Sequence, residues 1–434
     1  MTYSEALTAI DALKPGGMKW GLARMERILA LCGHPERRLR FVHVAGTNGK
    51  GSTARMIQSI LTAAGYRTGL YASPAVTGLR DTITVDGEPI PETNFAGLTE
   101  TLLSHREEMG DAGGLPEFEL VTALAFLYFA GRHTDLCVVE CGLGGLDDAT
   151  NVIPPPLAAV LTPISLDHTA VLGGTVTAIA EKKCGIFKPP CAVVTSPAQD
   201  EEALGVILER AAALGLTVRL PSAATAPLRE EALGRTAFSY DGMEIVLPLT
   251  GGFQRDNALT AIETVRALAP AGFPVERAAI EAGLAAARIP CRQEVLAAPP
   301  SPLAMLDGAH NPQGVGALAA TLAKHGVSGL TLVAGMLGDK DAPRCAALLV
   351  PFCRRAICCT PDNPRALPAE RFAGHLRDAA PSLPVAVIEN PAAALEAALA
   401  DGAASVGGSG LLVAGSFYVA SVLRPRLLEL EKRE

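Results

Sequence analysis

Short apolar runs alternate with amphipathic stretches along almost the whole chain. The runs at 41–45, 68–72, 135–140, 158–162 and 191–195 are bounded by Gly, Pro or polar residues and predict buried strands. Between them, apolar positions recur at helical spacing over 51–64, 117–130, 175–184 and 200–214. Strand and helix in alternation point to a parallel sheet covered by helices. Residues 236–248 break that rhythm: two alternating runs flank Asp241 and Gly242, which predicts a hairpin. Helical patterns return at 255–269 and 275–287. The stretch 288–302 holds four prolines, with Pro299, Pro300 and Pro302 close together, and predicts a domain junction at its start. A second alternation follows, with strands near 303–306, 329–334, 354–360, 384–388 and 410–415. The expected organisation is a larger α/β domain over 1–290 and a smaller Rossmann-like α/β domain over 291–434.

Composition narrows the class. A chain of 434 residues is long for one core, and 49% hydrophobic content indicates a well-buried globular protein. The net charge of −8 argues against a nucleic-acid partner, although a local cleft can still hold an anion. Ten scattered cysteines in a chain of this size do not suggest a disulfide framework, so a reducing, cytoplasmic setting is expected. Cys358 and Cys359 are adjacent, and Cys137 and Cys141 flank Glu140; neither pair has the spacing of a zinc site. The N-terminus lacks a basic start followed by an apolar core, so no signal peptide is expected. The longest apolar stretch, 120–130, is too short to span a bilayer, and no membrane partner is expected.

The sharpest chemistry lies at Gly46 to Thr53, GTNGKGST, between the first apolar run and a helix. Strand, glycine-rich turn and helix form a phosphate cradle. Backbone N–H groups turn inward, and the helix N-terminus adds partial positive charge. Lys50 can reach the outer phosphates, and a following hydroxyl can touch Mg²⁺. The spacing departs from the common G-x-x-x-x-G-K-[ST] form: two residues separate Gly46 from Gly49, and Gly51 stands between Lys50 and Ser52. The larger domain is therefore expected to be a P-loop ATPase domain with a parallel sheet.

Other polar residues fall at the carboxyl ends of predicted strands, where α/β sheets bind ligands. Glu140 ends the run 135–140 and suits a Mg²⁺ ligand or a water-orienting group. Asp147 and Asp148 follow it, with helix capping and function equally open. Asp167 and His168 follow 158–162, and Ser73 follows 68–72; ligation of a divalent ion is open to His168 and Ser73. Lys182, Lys183 and Lys188 lie near a helix end, either complementing its dipole or including one desolvated, reactive amine. In the second domain Asp307 suits a ribose or a metal, and His310 a phosphate or acid–base work. The segments at 338–341, 360–366 and 415–418 also follow strands.

Taken together, the segments YSEALTAIDAL, GLARMERIL, HVAGTNGKGST, EFELVTALAF, VVECGLGG, DATN, LTPISLDHTAVLG, KKCGIFK, FQRDNA, CRQE, LDGAHNP, GDKD and GSFY resemble the folylpolyglutamate synthase/dihydrofolate synthase family, a branch of the Mur-type amide ligases. The resemblance covers nearly the whole length. It implies an ATP- and Mg²⁺-dependent ligase that phosphorylates a folate or dihydropteroate carboxylate and joins it to L-glutamate. It also implies that Thr47, Asn48, Gly49, Lys50, Gly51 and Ser52 hold the triphosphate and that Ser73, Glu140 and His168 bind Mg²⁺. Lys183 matches a lysine that the family carbamylates, which turns a cation into a possible metal ligand. Asn257, Arg292 and Asp307 match nucleotide contacts, and His310 and Ser416 match residues near nucleotide and glutamate. Phe118, Glu119 and Asp148 lie in segments similar to the pterin side of the substrate site. The implied partners are small molecules acting on a monomer.

The chain departs from the family's usual pattern at five places. Ala75 replaces a His, Leu146 and Asp147 stand where Arg-Leu is usual, Lys182 replaces a Glu, Phe253 a His and Cys291 a Gly. Most fall toward the expected folate side, so ATP-dependent ligation is the firmer expectation and the acceptor the less firm. The rival readings are a related ligase acting on another carboxylate and a catalytically silent nucleotide-binding regulator.

Overall fold

The computed structural model describes residues 1–13, 21–76, 78–109, 114–297, 302–402 and 410–431. The predicted junction cluster at Pro299 and Pro300 lies outside them. The chain divides into two compact units. One comprises Met1–Pro227, Phe238–Leu247 and Phe253–Ala287; the other comprises Leu228–Ala237, Pro248–Gly252 and Arg288–Glu434.

The first unit is built on an eight-stranded sheet. Its strands are β1 (Phe41–Ala45), β2 (Thr68–Tyr71), β3 (Ile83–Val85), β4 (Glu88–Pro89), β5 (Leu136–Glu140), β6 (Ala158–Leu161), β7 (Ala192–Thr195) and β8 (Val218–Arg219). Their order is β4-β3-β2-β5-β1-β6-β7-β8. Six run parallel, and β3 and β4 form an antiparallel edge. Because β1 lies between β5 and β6, the loops after all three emerge side by side at one sheet edge. Every residue of β1, β5 and β6 is buried, as expected for strands covered on both faces.

The helix Glu117–Gly131 is apolar almost all round and packs into the core, where Phe126 meets Phe41 edge-on with ring centroids 5.5 Å apart. Two N-terminal helices, Tyr3–Asp11 and Ala23–Leu31, join the same core through Ala6, Ile10, Met25, Ile28 and Leu29. The predicted hairpin forms between β10 (Arg235–Tyr240) and β11 (Met243–Leu247), preceded by β9 (Leu228–Ala232). Asp241 and Gly242 both adopt positive φ, 49° and 72°, as a tight hairpin turn of this kind requires.

The second unit carries a six-stranded sheet of order β12-β13-β17-β14-β15-β16. Its strands are β12 (Glu294–Ala297), β13 (Ala304–Leu306), β14 (Leu330–Ala334), β15 (Cys353–Cys358), β16 (Val385–Val387) and β17 (Leu411–Ala414). All pair in parallel except β12, which pairs antiparallel to β13. The strand expected at 354–360 runs over Cys353–Cys358, and two backbone bonds continue past it, Cys359 N–H to Ala334 O at 2.8 Å and Thr360 N–H to Glu389 O at 2.9 Å. Sheet architecture and helix placement make this a two-part α/β protein of the expected class. No helix among the described residues is long and apolar enough to cross a membrane.

Candidate active site

The glycine-rich loop leaves β1 at Gly46, whose φ is 147°. A Cβ at Gly46 would lie 1.9 Å from Thr162 Oγ1, so only glycine fits there. Gly49 has φ of 84°, and a Cβ on it would lie 2.6 Å from Asn257 Oδ1. The expected nucleotide contact Asn257 therefore stands directly against the loop. Thr47 and Asn48 N–H both donate to Pro163 O, at 2.9 and 3.2 Å. Thr47 Oγ1 donates to Ser165 O and accepts from Ser165 N–H, each at 3.1 Å. Those N–H groups are thus engaged within the protein, whereas the amides at the start of the helix Lys50–Ala63 have no intrahelical partner, the arrangement that suits an anion. Lys50 Nζ donates to Thr47 O at 3.3 Å and stands 4.0 Å from Glu140 Oε1. Gly51 and Ser52 follow in the first helical turn.

Glu140 ends β5 directly beside β1, with Val44 as its register partner. It is buried, and its Oε2 accepts from Ser73 N–H at 3.2 Å, so Ser73 and Glu140 are brought together. A buried carboxylate beside a hydroxyl and next to a phosphate loop suits Mg²⁺, which takes one or two carboxylates with phosphate and water. His168 follows β6 with φ of 49°, and its Nε2 lies 3.9 Å from Asp167 Oδ2. Lys183 is buried, and its Nζ donates to Gly46 O at 2.7 Å, on the loop itself. Burial, and then the charge of Lys50, bring its amine down to about 7. Lys182, its neighbour, is half-buried and pairs with Asp147 at 3.5 Å. Of the two lysines, Lys183 alone is turned to the loop.

Phe118 packs over Gly142, where a Cβ would fall 2.5 Å from its ring, and its ring centroid is 5.9 Å from that of Tyr71. Glu119 is held by a residue the sequence reading did not single out. Arg24 Nε donates to Glu119 Oε2 at 3.0 Å, and its NH2 bonds Oε1. Asp148 caps the turn Ala149–Val152 and is buried. It accepts from Leu143 N–H at 2.7 Å, Thr150 N–H at 3.0 Å and the Thr150 hydroxyl at 2.5 Å. The capping alternative for Asp148 is thus realised, and its carboxylate organises the loop 143–150. His43, which the sequence reading took only as part of the first apolar run, places Nε2 2.9 Å from Thr150 Oγ1. A cavity of about 190 Å³ opens beside this loop, lined by Leu143, Leu146, Val171, Leu172, Asp147 and Lys182. The departures at Leu146, Asp147 and Lys182 therefore converge on one place.

In the second unit Asp307 follows β13, buried, with its Oδ1 accepting from Ala309 N–H at 2.8 Å. Burial pushes its carboxyl up to about 6 against the opposing Arg292 charge and the amides of Ala309 and Gln293. His310 Nδ1 lies 2.8 Å from Gly308 O. A carbonyl only accepts, so Nδ1 is the donor of that bond. Ser416 caps the helix Phe417–Glu431, its Oγ accepting from Tyr418 N–H at 3.1 Å. Arg292 places its guanidinium carbon 4.2 Å from the centre of the Phe417 ring. Cys291 before it has φ of 55°, which explains why glycine is usual there.

Comparison with known proteins decides the family. The Mur ligase middle domain matches residues 44–265, and the Mur ligase glutamate ligase domain matches 291–417. The folylpolyglutamate synthase of Lacticaseibacillus casei is 33% identical over 442 residues, covering 99% of both chains. The dihydrofolate synthase/folylpolyglutamate synthase of Bacillus subtilis is 38% identical over 349 residues, covering 78% of this chain and 80% of its own. The chain belongs to the folylpolyglutamate synthase/dihydrofolate synthase family of Mur ligases. The Mycobacterium tuberculosis folylpolyglutamate synthase solved with ADP and AMPPCP superposes with a TM-score of 0.86 at 32% identity, covering 98% of this chain and 99% of that one. As a member of this family the chain is an ATP-dependent ligase of folate metabolism.

Proposed function

We propose that this ligase joins L-glutamate to a folate-type carboxylate, folate itself and also dihydropteroate, through an acyl phosphate. Residues 1–290 form the ATP-binding domain and 291–434 the glutamate ligase domain. The observation that carries the reading is the Gly46–Lys50 loop with Glu140, Ser73, Lys183 and Asn257 gathered on it. A carboxylate oxygen of the acceptor attacks the γ-phosphorus of ATP, and ADP leaves. The amine of glutamate, having lost a proton, attacks the acyl carbon; phosphate leaves and the amide forms.

Lys50 and the helix N-terminus offset charge on the transferring phosphoryl group. Ser73, Glu140 and His168 would hold Mg²⁺, which supplies further charge neutralisation there. Lys183 would join them once carbamylated. That modification needs a neutral amine, and a value near 7 leaves a substantial neutral fraction at neutral pH. Asn257, Arg292 and Asp307 contact nucleotide. His310 takes the amine proton near Ser416, and Phe118, Glu119 and Asp148 shape the acceptor side. The setting is cytoplasmic, which fits ten free cysteines, and the enzyme acts as a monomer.

The test is phosphate release from ATP with Mg²⁺, L-glutamate and a panel of dihydropteroate and reduced folates. Release is expected only when acceptor and glutamate are both present. Equal release without acceptor, or none with any pteroate or folate, overturns the reading.

A further inference from the structure

Arg292 sits in a turn that its neighbours adopt only under constraint. Cys291 and Gln293, on either side, have φ of 55° and 47°. Residues other than glycine rarely enter that region, and they stay there where the surroundings enforce it. Gly308 N–H donates to Cys291 O at 2.8 Å, and Cys291 N–H donates to Glu294 Oε2 at 2.9 Å. Glu294 is gripped in turn by Arg424, whose Nε and NH2 reach both carboxylate oxygens at 2.6 to 3.0 Å. Arg424 belongs to the helix Phe417–Glu431.

The first residue of that helix completes the enclosure. Phe417 is buried, and the guanidinium carbon of Arg292 lies over its ring, 4.2 Å from the centroid. The same ring meets the imidazole of His310, with centroids 6.3 Å apart and planes at 60°. It also fills the space above Gly308, where a Cβ would fall 2.6 Å from it. The Ser416 cap fixes the point from which the ring departs.

We propose that Phe417 is a positioning residue, whose ring face holds the Arg292 guanidinium ready for an anionic group of the nucleotide. This rests on the reading of Arg292 as a nucleotide contact. The negative face of the ring attracts a cation, and an arginine placed in advance loses less rotamer freedom when the anion arrives. An aliphatic side chain fills the same space without offering that face. The role therefore belongs to the ring's electron distribution and not to its bulk, which makes it separable from packing.

The test measures ADP affinity by titration calorimetry on the full chain, with melting temperature and ATP kinetics alongside. Phe417→Leu is expected to weaken ADP binding by about three- to tenfold and to raise KM for ATP by the same factor, with kcat held within about twofold. Phe417→Met is the second non-aromatic variant if Phe417→Leu does not fold. Phe417→Tyr keeps the π face and is expected to stay within about twofold of the parent. In an Arg292→Ala background, Phe417→Leu is expected to add nothing. Equal losses in the Leu, Met and Tyr variants, or additive losses in the double variant, assign Phe417 to packing and overturn the inference. Full ADP affinity in the Leu and Met variants, with Arg292→Ala weakened, overturns the inference alone. Full affinity in Arg292→Ala overturns the nucleotide reading and the inference with it.

Discussion

At the residue scale, two adjacent lysines divide the work. Lys183 is buried against Gly46 O, whereas Lys182 is partly open to solvent and paired with Asp147. An exposed ion pair contributes about 0–1 kcal/mol. Lys182→Ala is therefore expected to keep turnover within about threefold, and Lys183→Ala to lose on the order of 100-fold or more. Initial rates at saturating ATP check the order, and small carboxylates are expected to restore part of the Lys183→Ala activity. A reversed order would move the role to Lys182. His43 gives a different handle, on stability. Burial, with a smaller contribution from the Lys188 charge, holds its imidazole down at about 3. Between that value and the ordinary 6.5, the unfolded chain binds a proton that the folded chain does not. Stability from this group is thus present above pH 6.5 and is lost as pH falls, by about 1.4 kcal/mol per pH unit. His43→Gln is expected to remove one proton's worth of that slope in denaturant titrations between pH 6.5 and 4. Unchanged slopes would show that His43 titrates freely in the fold.

At the scale of elements, the glycine-rich turn is defined by what presses on it. Gly49→Ala would force an alanine to φ of 84° and drive its Cβ to 2.6 Å from Asn257 Oδ1. The backbone cost is about 1–2 kcal/mol, which a domain of this size survives. The displaced loop is expected to lose on the order of 100-fold in kcat/KM for ATP with the fold intact by circular dichroism. Near-normal kinetics would mean that the loop tolerates the shift and that the cradle lies elsewhere. The loop was legible in the sequence because glycine, lysine and hydroxyl residues stood between a strand pattern and a helix pattern. So were the buried strands, since a strand covered on both faces reads as an apolar run. The two-residue strands β4 and β8 were not, because pairs such as Glu88–Pro89 and Val218–Arg219 carry no periodicity. The helix Glu92–Glu108 was missed for a related reason: few of its residues are buried, so its apolar stripe is faint. Arg24, His43 and Phe417 act through partners 95, 107 and 125 residues away in the chain, and local spacing records nothing of that kind.

At the scale of the whole molecule, both sheets put their polar loops at the carboxyl ends of parallel strands, so one organising rule serves both units. That rule let the sequence place Ser73, Glu140, His168, Asp307 and Ser416 at strand ends before any coordinates. It could not say which side chains turn inward, as the contrast between Lys182 and Lys183 makes plain. The family match begins at residue 44 and stops at 265, inside the helix Phe253–Ala267. A fragment cut at those limits would discard Met25, Ile28 and Leu29 from the core and would leave Glu119 buried and without Arg24. A carboxylate stranded in that way costs several kcal/mol, a large share of a domain's total stability. The excised piece 44–265 is expected to emerge aggregated or without a cooperative melting transition, and restoring the helix Ala23–Leu31 is the first step toward recovering one. The borders of sequence similarity and the borders of the first compact unit thus differ by two N-terminal helices, the first three residues of β1 and the chain beyond 265 that carries the helix Arg277–Ala286, and cloning limits are better drawn from the second.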